Sequence, residues 1–224
     1  MSIFSRRAAG RIVLRCMLLM GLTAPAMAQM PNETPANFVP RVESFDYTKR
    51  EEMIPMRDGV KLKTVILIPR GAHRAPILLS RTPYGATSRI AKDVSAHLDA
   101  LIDSNDVADD AVLNGGYIRV LQDVRGKHGS EGDYVMTRPL RGALNPTAVD
   151  HSTDTYDTID WLIKNIPETN GKVGILGISY DGFTSLMALV NPHPALRAAI
   201  PSMPWSMVGW EMIGFIRERF ARTA

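Results

Sequence analysis

A serine flanked by glycines is the residue of this sequence whose surroundings most clearly indicate chemistry. Residues 177–182 are Gly-Ile-Ser-Tyr-Asp-Gly, so Ser179 lies two positions after Gly177 and three before Gly182. A serine held at a sharp turn between a strand and a helix, a nucleophile elbow, exposes its hydroxyl for attack on a carbonyl carbon. The backbone N–H of the next residue, Tyr180, can then stabilise the oxyanion. The usual spacing is Gly-x-Ser-x-Gly, so an ordinary serine cap in a strand-to-helix turn is the alternative.

The sequence around Ser179 predicts both elements that an elbow requires. Residues 173–176 are a short apolar run typical of a buried strand, and residues 183–190 are predicted to be helical. Strand, turn and helix follow one another directly, which is the context that the motif needs. Ser179 is therefore predicted to be a nucleophile.

The same alternation of strand and helix continues along the chain. A hairpin about Asp58-Gly59 is predicted between β-like runs, and Ser152 or Thr153 can cap a helix whose apolar residues recur at helical spacing up to Ile166. The predicted strands lie at residues 52–56, 61–68, 77–79, 117–121, 173–176 and 196–200. This order predicts an α/β fold with a doubly wound, mostly parallel sheet.

The loop after the strand at 77–79 is a second predicted site element. Residues 81–85 are Arg-Thr-Pro-Tyr-Gly. Loops at the carboxyl ends of parallel strands face the ligand crevice of such a sheet. Tyr84 could therefore direct its phenol hydroxyl toward the oxyanion, with a tyrosine that only packs as the alternative.

The first 28 residues are predicted to be an export signal. They hold four arginines and no acidic residue, then a short apolar run at 16–22, then Ala26-Met27-Ala28, which fits the small-x-small rule for cleavage. A membrane span needs about 20 apolar residues, so this run is too short to be an anchor. The protein is thus predicted to be periplasmic or secreted, with no membrane association after cleavage and with residues 29–44 as a linker.

The composition excludes several classes of function. The chain of 224 residues has 26 basic and 23 acidic residues, but without the four arginines of the signal the balance is 22 to 23. Nucleic-acid binding is therefore not predicted. The single cysteine, Cys16, also lies in the signal, so neither disulfides nor thiol chemistry is expected. No histidine pair has convincing metal spacing, and neither a metal nor a cofactor is predicted.

Several motifs together resemble one family of enzymes. The resemblance to the α/β-hydrolases of the X-Pro dipeptidyl-peptidase and cocaine-esterase group is carried by residues 121–126, 130–132 and 177–182. Within that group, residues 134–142, 149–151, 157–162 and 191–196 are similar to the α-amino-acid ester hydrolases. The resemblance covers about residues 45–201.

This resemblance implies a function and a set of site residues. Ser179 would be the acylated nucleophile, and the Tyr180 backbone N–H and the Tyr84 hydroxyl would form the oxyanion hole. The substrates would be small-molecule esters or amides of α-amino acids, including β-lactam antibiotics. A general carboxylesterase, an X-Pro dipeptidyl peptidase and a non-catalytic binding remnant are the alternatives. Asp123 and Arg125 are predicted to form a structural ion pair, and no oligomeric state is predicted.

The catalytic partners of Ser179 are not found in this sequence. In that fold the acid and the histidine of the triad follow the serine along the chain. His193 is the only histidine after Ser179 and is predicted to be a loop residue. The general base, the helical cap and the C-terminal β-rich domain are therefore expected to be missing. Residues 45–203 would be the N-terminal part of an incomplete α/β-hydrolase domain with negligible turnover.

Residues 204–224 stop resembling the family abruptly. Trp and Met have one codon each, so much of the DNA encoding residues 204–215 can be inferred. When those bases are translated from the third position of each codon, they permit Met-Val-Asp-Gly-Trp-Met-Gly-Asp-Asp-Trp-Phe, which is close to what the family has at this point. A frameshift near 202–204 is the hypothesis, and a divergent amphipathic tail is the alternative. The shift would also remove an acidic residue, encoded across Met212 and Ile213, that in the family helps to bind the substrate's ammonium group.

Overall fold

The computed structural model describes residues 45–90, 95–101, 112 and 115–202, all within the compact unit Arg41–Ala224. The predicted signal peptide at 1–28, the linker at 29–44 and the tail at 204–224 lie outside these residues. In the described part, no helix is long and apolar enough to cross a bilayer.

A six-stranded sheet forms the centre of the fold. Its strands are β1 (Tyr47–Pro55), β2 (Lys61–Pro69), β3 (Ala75–Thr82), β4 (Ile118–Asp123), β5 (Thr169–Ile178) and β6 (Leu196–Ser202). They lie in the order β1-β2-β4-β3-β5-β6. β3 to β6 are mutually parallel, whereas β2 is antiparallel to both of its neighbours. The prediction of a mostly parallel sheet in an α/β fold is confirmed.

The predicted hairpin joins the first two strands. Pro55, the last residue of β1, pairs with Lys61, the first residue of β2. The turn closes through a hydrogen bond of 2.8 Å from the backbone N–H of Met56 to the carbonyl of Val60. Gly59 adopts φ 85°, a value that glycine reaches without steric cost.

The central strands of the sheet are buried on both faces. Alternate residues of β2 contribute to different cores: Leu62 and Ile66 belong to one cluster, and Val65 and Leu67 to another. Such alternation follows from the two-residue period of a strand. The first core is completed by a long helix at 151–165, and the second by residues between β3 and β4, so every residue of the central strand β4 is buried.

Three described helices accompany the sheet: α1 (Leu98–Leu101), α2 (His151–Asn165) and α3 (Tyr180–Met187). The predicted cap of α2 by Ser152 or Thr153 is wrong in position, because Asp150 is the N-cap. The Asp150 carboxylate accepts from the Thr153 N–H at 2.8 Å, and the Thr153 hydroxyl accepts from the Asp150 N–H at 2.8 Å. Thr153 thus completes a capping box from inside the helix.

The helix after Ser179 also starts earlier than predicted. α3 begins at Tyr180, directly after Ser179, and ends at Met187, whereas residues 188–190 form a turn. Gly182 has low helix propensity and obscures the start of α3 in the sequence.

Buried charges tie the carboxyl ends of the central strands to α2. Asp154 of α2 accepts from Arg125 at 2.7 Å and lies 3.8 Å from the Arg81 guanidinium at the end of β3. Asp58 of the hairpin pairs with Arg125 at 2.8 Å. The predicted ion pair between Asp123 and Arg125 is therefore wrong, since Arg125 pairs with the two other carboxylates. Asp123 instead accepts from the N–H of Ala86 at 2.6 Å.

Replacing Asp154 by asparagine should lower the free energy of unfolding by about 3–5 kcal/mol, because two buried guanidinium groups lose their shared carboxylate. Asp157→Asn on the same helix is the matched control. Its partner Arg57 is partly exposed, so the expected loss is about 1 kcal/mol or less. Urea denaturation measures both variants, and equal losses would contradict this interpretation.

Candidate active site

Ser179 occupies a sharp turn between β5 and α3. Its backbone has φ 58° and ψ −116°, a left-handed conformation that is rare for a residue with a side chain. The Ser179 N–H donates to the carbonyl of Ser202 at 3.0 Å, and its own carbonyl accepts from the Phe183 N–H at 3.0 Å. Its side chain makes no capping hydrogen bond, and the residue is exposed. The hydroxyl is therefore presented to solvent at the start of a helix.

The tightness of this turn depends on Gly177. A Cβ on Gly177 would lie 2.4 Å from the carbonyl carbon and 2.5 Å from the Cβ of Asp181. Real Cβ atoms essentially never come this close, so only glycine allows the last residues of β5 to pass the first turn of α3. Packing against α3 thus explains Gly177 of the motif. The same packing places Ser179 at the carboxyl end of β5.

The helix that follows supplies hydrogen-bond donors near the hydroxyl. Tyr180 is the first residue of α3, and the first N–H groups of a helix have no partner within the helix. They also carry the positive end of the helix dipole, which favours a developing anion. The Tyr180 N–H therefore lies in the first turn of α3, directly after Ser179.

The loop that carries Tyr84 lies beside the elbow. β3 is the neighbour of β5, with Leu79 opposite Ile175, so the carboxyl ends of the two strands are adjacent. The Thr184 hydroxyl of α3 donates to the carbonyl of Arg81 at 2.8 Å, which joins the two segments. Tyr84 is 50% exposed, so its side chain is not buried in the core.

The segment after β4 holds this loop at three points. The Asp123 carboxylate accepts from the Ala86 N–H, the Val124 N–H donates to the carbonyl of Thr82 at 2.9 Å, and the His128 Nε2 lies 2.9 Å from the carbonyl of Pro83. Burial raises the pKa of Asp123, and the hydrogen bond from Ala86 opposes that rise. The motif at residues 121–126 therefore acts as a support for the Tyr84 loop.

An ion pair connects the Tyr84 loop to the nucleophile helix. Arg89 lies 2.8 Å from the carboxylate of Asp181, which is in the first turn of α3. The Arg89 guanidinium also lies 5.6 Å from the centre of the Tyr84 ring.

The side chain of Tyr180 is buried and anchored below the elbow. Its hydroxyl donates to the carbonyl of Met136, and its ring makes edge contacts with Phe183 at 5.6 Å and His151 at 6.4 Å. Burial raises the pKa of the Tyr180 phenol far above its ordinary value, and a hydrogen bond with Tyr134 adds to this. The phenol therefore stays protonated, and Tyr180 contributes to the site through its backbone.

His193 lies at the amino ends of the parallel strands, whereas Ser179 lies at their carboxyl ends. It comes three residues before Leu196, which pairs with Val173 near the start of β5, whereas Ser179 follows the end of that strand. Six residues of strand correspond to about 20 Å. His193 Nδ1 accepts from the Ala195 N–H at 3.0 Å, and its Nε2 lies 3.6 Å from Asp160. It is a buried loop residue, as predicted, and is not a partner of Ser179.

Sequence reasoning missed Arg89, His128 and Asp181 as parts of this site. Arg89 and Asp181 are far apart in the chain, and no periodic pattern relates them. His128 has φ 49°, which a sequence pattern does not reveal. Among the described residues, no group of three or more His, Cys, Asp or Glu side chains could hold a metal ion.

The buried His151 gives the region around the elbow a pH dependence. Burial, together with the nearby Arg81 charge, lowers the pKa of His151 from 6.5 to about 4. Between these pH values the unfolded chain binds a proton that the folded chain does not. Stability that is fully present above about pH 6.5 should therefore be lost as the pH falls toward about 4.

In urea denaturation at several pH values, His151→Gln should show a shallower loss of stability between pH 6.5 and 4 than the wild type. His73→Gln is the control, because His73 is exposed and should leave the wild-type slope unchanged. Parallel curves for the wild type and His151→Gln would contradict the assignment.

Comparison with known proteins identifies the family of this chain. The model of the X-Pro dipeptidyl-peptidase (S15) family matches residues 58–217, and so includes part of the segment for which a frameshift is hypothesised. Cocaine esterase from Rhodococcus sp. (strain MB1 Bresler) is 34% identical over 151 residues, which are 67% of this chain and 22% of that enzyme.

Two solved structures are more similar in sequence. An α-amino acid ester hydrolase labelled with selenomethionine is 60% identical, with a TM-score of 0.71 over 79% of this chain and 28% of that one. An aminopeptidase from the marine sediment archaeon Thaumarchaeota archaeon is 56% identical, with a TM-score of 0.69 over 76% and 27%. The chain thus spans less than a third of the length of each of these relatives. It belongs to the X-Pro dipeptidyl-peptidase (S15) family and carries the fold of that family's serine hydrolases.

Proposed function

We propose that this chain is the nucleophile-bearing part of a serine hydrolase that cleaves esters or amides of α-amino acids, including β-lactam antibiotics, through an acyl-enzyme. The observation that carries the proposal is the backbone of Ser179, which is exposed at φ 58° between a strand and a helix. A strained residue of this kind persists only where the surrounding structure imposes it, and such residues cluster at active sites.

The proposed reaction has two halves. The Ser179 Oγ forms a bond to the substrate carbonyl carbon, and the oxyanion is held by the Tyr180 N–H and the Tyr84 hydroxyl. The alcohol or amine then leaves with a proton, which gives the acyl-enzyme, and water or an acceptor amine releases the acyl group. The proton would pass through a histidine other than His193, because His193 lies at the opposite end of the strands from Ser179.

The substrate class rests on the two solved structures described above. One is named an α-amino acid ester hydrolase and the other an aminopeptidase, and both names refer to substrates built on amino acids. The cocaine esterase and the X-Pro peptidase match support the broader alternatives. Dependence of activity on a free α-amino group distinguishes the first class from a general esterase.

We also propose that residues 1–28 direct export to the periplasm or the medium, and that residues 204–224 are translated out of frame. Sequencing the gene and the DNA downstream decides the second point, because a frameshift requires another frame that continues the hydrolase. His193 is the only histidine after Ser179 among these 224 residues and lies far from Ser179, so turnover by these residues alone should be negligible, because removing a triad base costs several powers of ten in rate.

Labelling with an alkyl fluorophosphonate tests the nucleophile. In the folded chain the probe should modify Ser179 slowly but faster than any serine of the urea-unfolded chain, because the elbow and its helix N-terminus stabilise the addition. Peptide mass spectrometry should locate the adduct on Ser179 and find none in Ser179→Ala.

Ser185→Ala is the matched control for that experiment. Ser185 lies on the same helix, but it is buried and its hydroxyl donates to the carbonyl of Asp181 at 2.8 Å. This variant should label like the wild type. Labelling that ignores the Ser179 change, or no preference for the folded chain, would overturn the proposed nucleophile. Release of alcohol from a phenylglycine ester at ordinary enzymatic rates would instead overturn the expectation of negligible turnover.

A further inference from the structure

Arg89 connects two parts of the site that are distant in sequence. On one side its guanidinium lies 5.6 Å from the centre of the exposed Tyr84 ring. On the other side it lies 2.8 Å from the carboxylate of Asp181, two residues after Ser179. Nothing in the chemistry proposed so far requires this bridge.

Asp181 is a rigid point of attachment. It is fully buried, lies in the first turn of α3, and packs against Gly177 at a distance that admits no Cβ. Its carboxylate cannot follow a moving arginine, so the arginine is held in place by the carboxylate. Arg89 is itself only partly exposed, and its N–H donates to the carbonyl of Gly85 at 3.2 Å, which fixes its base to the Tyr84 loop.

Tyr84 needs such a restraint. A half-exposed tyrosine has few contacts to select one rotamer, and its hydroxyl would sample several directions. A guanidinium over an exposed aromatic ring favours that arrangement by a factor of about two to five. Because the guanidinium is planar, it can lie against the ring and pair with a carboxylate at the same time.

We propose that Arg89 is a positioning residue: its ion pair with Asp181 places the guanidinium against Tyr84, and so sets the direction of the Tyr84 hydroxyl relative to Ser179. The role of the Tyr84 hydroxyl as an oxyanion donor rests on the proposed function. The placement of the Tyr84 ring by Arg89 does not depend on it. Arg89 would contact neither the substrate nor the reacting atoms.

The alternative is that Arg89 only neutralises a buried carboxylate. Arg89→Met alone would not separate the two, because an unpaired buried Asp181 could unfold the chain. The test variant is therefore Arg89→Met combined with Asp181→Asn, which removes both charges together. Urea denaturation first establishes that the double variant is folded, and Arg89→Lys provides a second, charge-conserving variant.

The chain also offers a matched control pair. Arg57 pairs with Asp157 at 2.7 Å and lies 6.0 Å from the centre of the Tyr156 ring, which is the same arrangement at another place. Arg57→Met combined with Asp157→Asn should therefore disturb Tyr156 and leave Tyr84 unchanged.

Fluorine NMR of the chain labelled with 3-fluorotyrosine measures ring placement. The Tyr84 resonance is assigned by its loss in Tyr84→Phe. In the Arg89/Asp181 double variant it should move toward its position in the urea-unfolded chain, while the Tyr156 and Tyr47 resonances stay in place. In Arg89→Lys the move should be smaller. An unchanged Tyr84 resonance in a folded double variant would overturn the proposal.

The rate of fluorophosphonate labelling at Ser179 measures the consequence. Loss of one oxyanion donor typically slows such chemistry by about 100-fold or more, which is the expectation for Tyr84→Phe. Arg89→Met combined with Asp181→Asn should slow labelling by a substantial part of that factor. When these two substitutions are introduced into Tyr84→Phe, the labelling rate should fall no further. Independent, multiplying effects would overturn the positioning role.

The two proposals fail in different ways. If the wild type is not labelled at Ser179, the proposed function fails, and the fluorine spectra still decide whether Arg89 places Tyr84. If the wild type is labelled and the double variant is labelled equally fast, Arg89 has no positioning role, and the nucleophile stands.

Discussion

The backbone conformation of Ser179 is the constraint on which the site depends. A backbone conformation of φ 58° and ψ −116° is unfavourable by about 1–3 kcal/mol for a residue with a side chain, and contacts around the turn offset this strain. Gly177 lets α3 start against the end of β5, and the Ser179 N–H is held by β6 through Ser202. The parallel strands β5 and β6 thus impose a conformation that the serine would not adopt alone, and the result is an exposed hydroxyl at a helix N-terminus.

A buried group of charges makes the surrounding loops rigid. Arg81 is the penultimate residue of β3, and its guanidinium donates to the carbonyl of His151 at 3.0 Å and to the Thr155 hydroxyl at 2.8 Å. Hydrogen bonds to Asp154 and Asp58 raise the pKa of Arg125 above its usual range, although burial opposes them. The β1–β2 turn, the end of β3 and the segment after β4 are therefore connected to α2 through these charges. Such a network gives little net stability, but it allows few alternative arrangements of those loops.

The sequence predicts the elements better than the contacts between them. Apolar runs locate the strands because burial on both faces of a sheet demands them, and Gly177 marks the elbow because no Cβ fits there. The sequence predicts Ser152 or Thr153 as the N-cap of α2, whereas the structure has Asp150. The prediction fails because Asp150, Ser152 and Thr153 are all residue types that cap helices. The partner of Arg125 and the bridge made by Arg89 could not be predicted. Ion pairs between distant segments depend on how the loops pack, and they leave no period in the sequence.

The fold forces Ser179 into a backbone conformation that exposes its hydroxyl but is unfavourable for any residue with a Cβ. The free energy of unfolding of Ser179→Gly compared with that of Ser179→Ala tests this directly. In ordinary helix or strand positions glycine is less stable than alanine by about 0.5–1 kcal/mol. At Ser179 the order should reverse, because glycine relieves the strain of the Cβ, and the glycine variant should be the more stable of the two. If the alanine variant is the more stable, Ser179 is not strained and the account is contradicted.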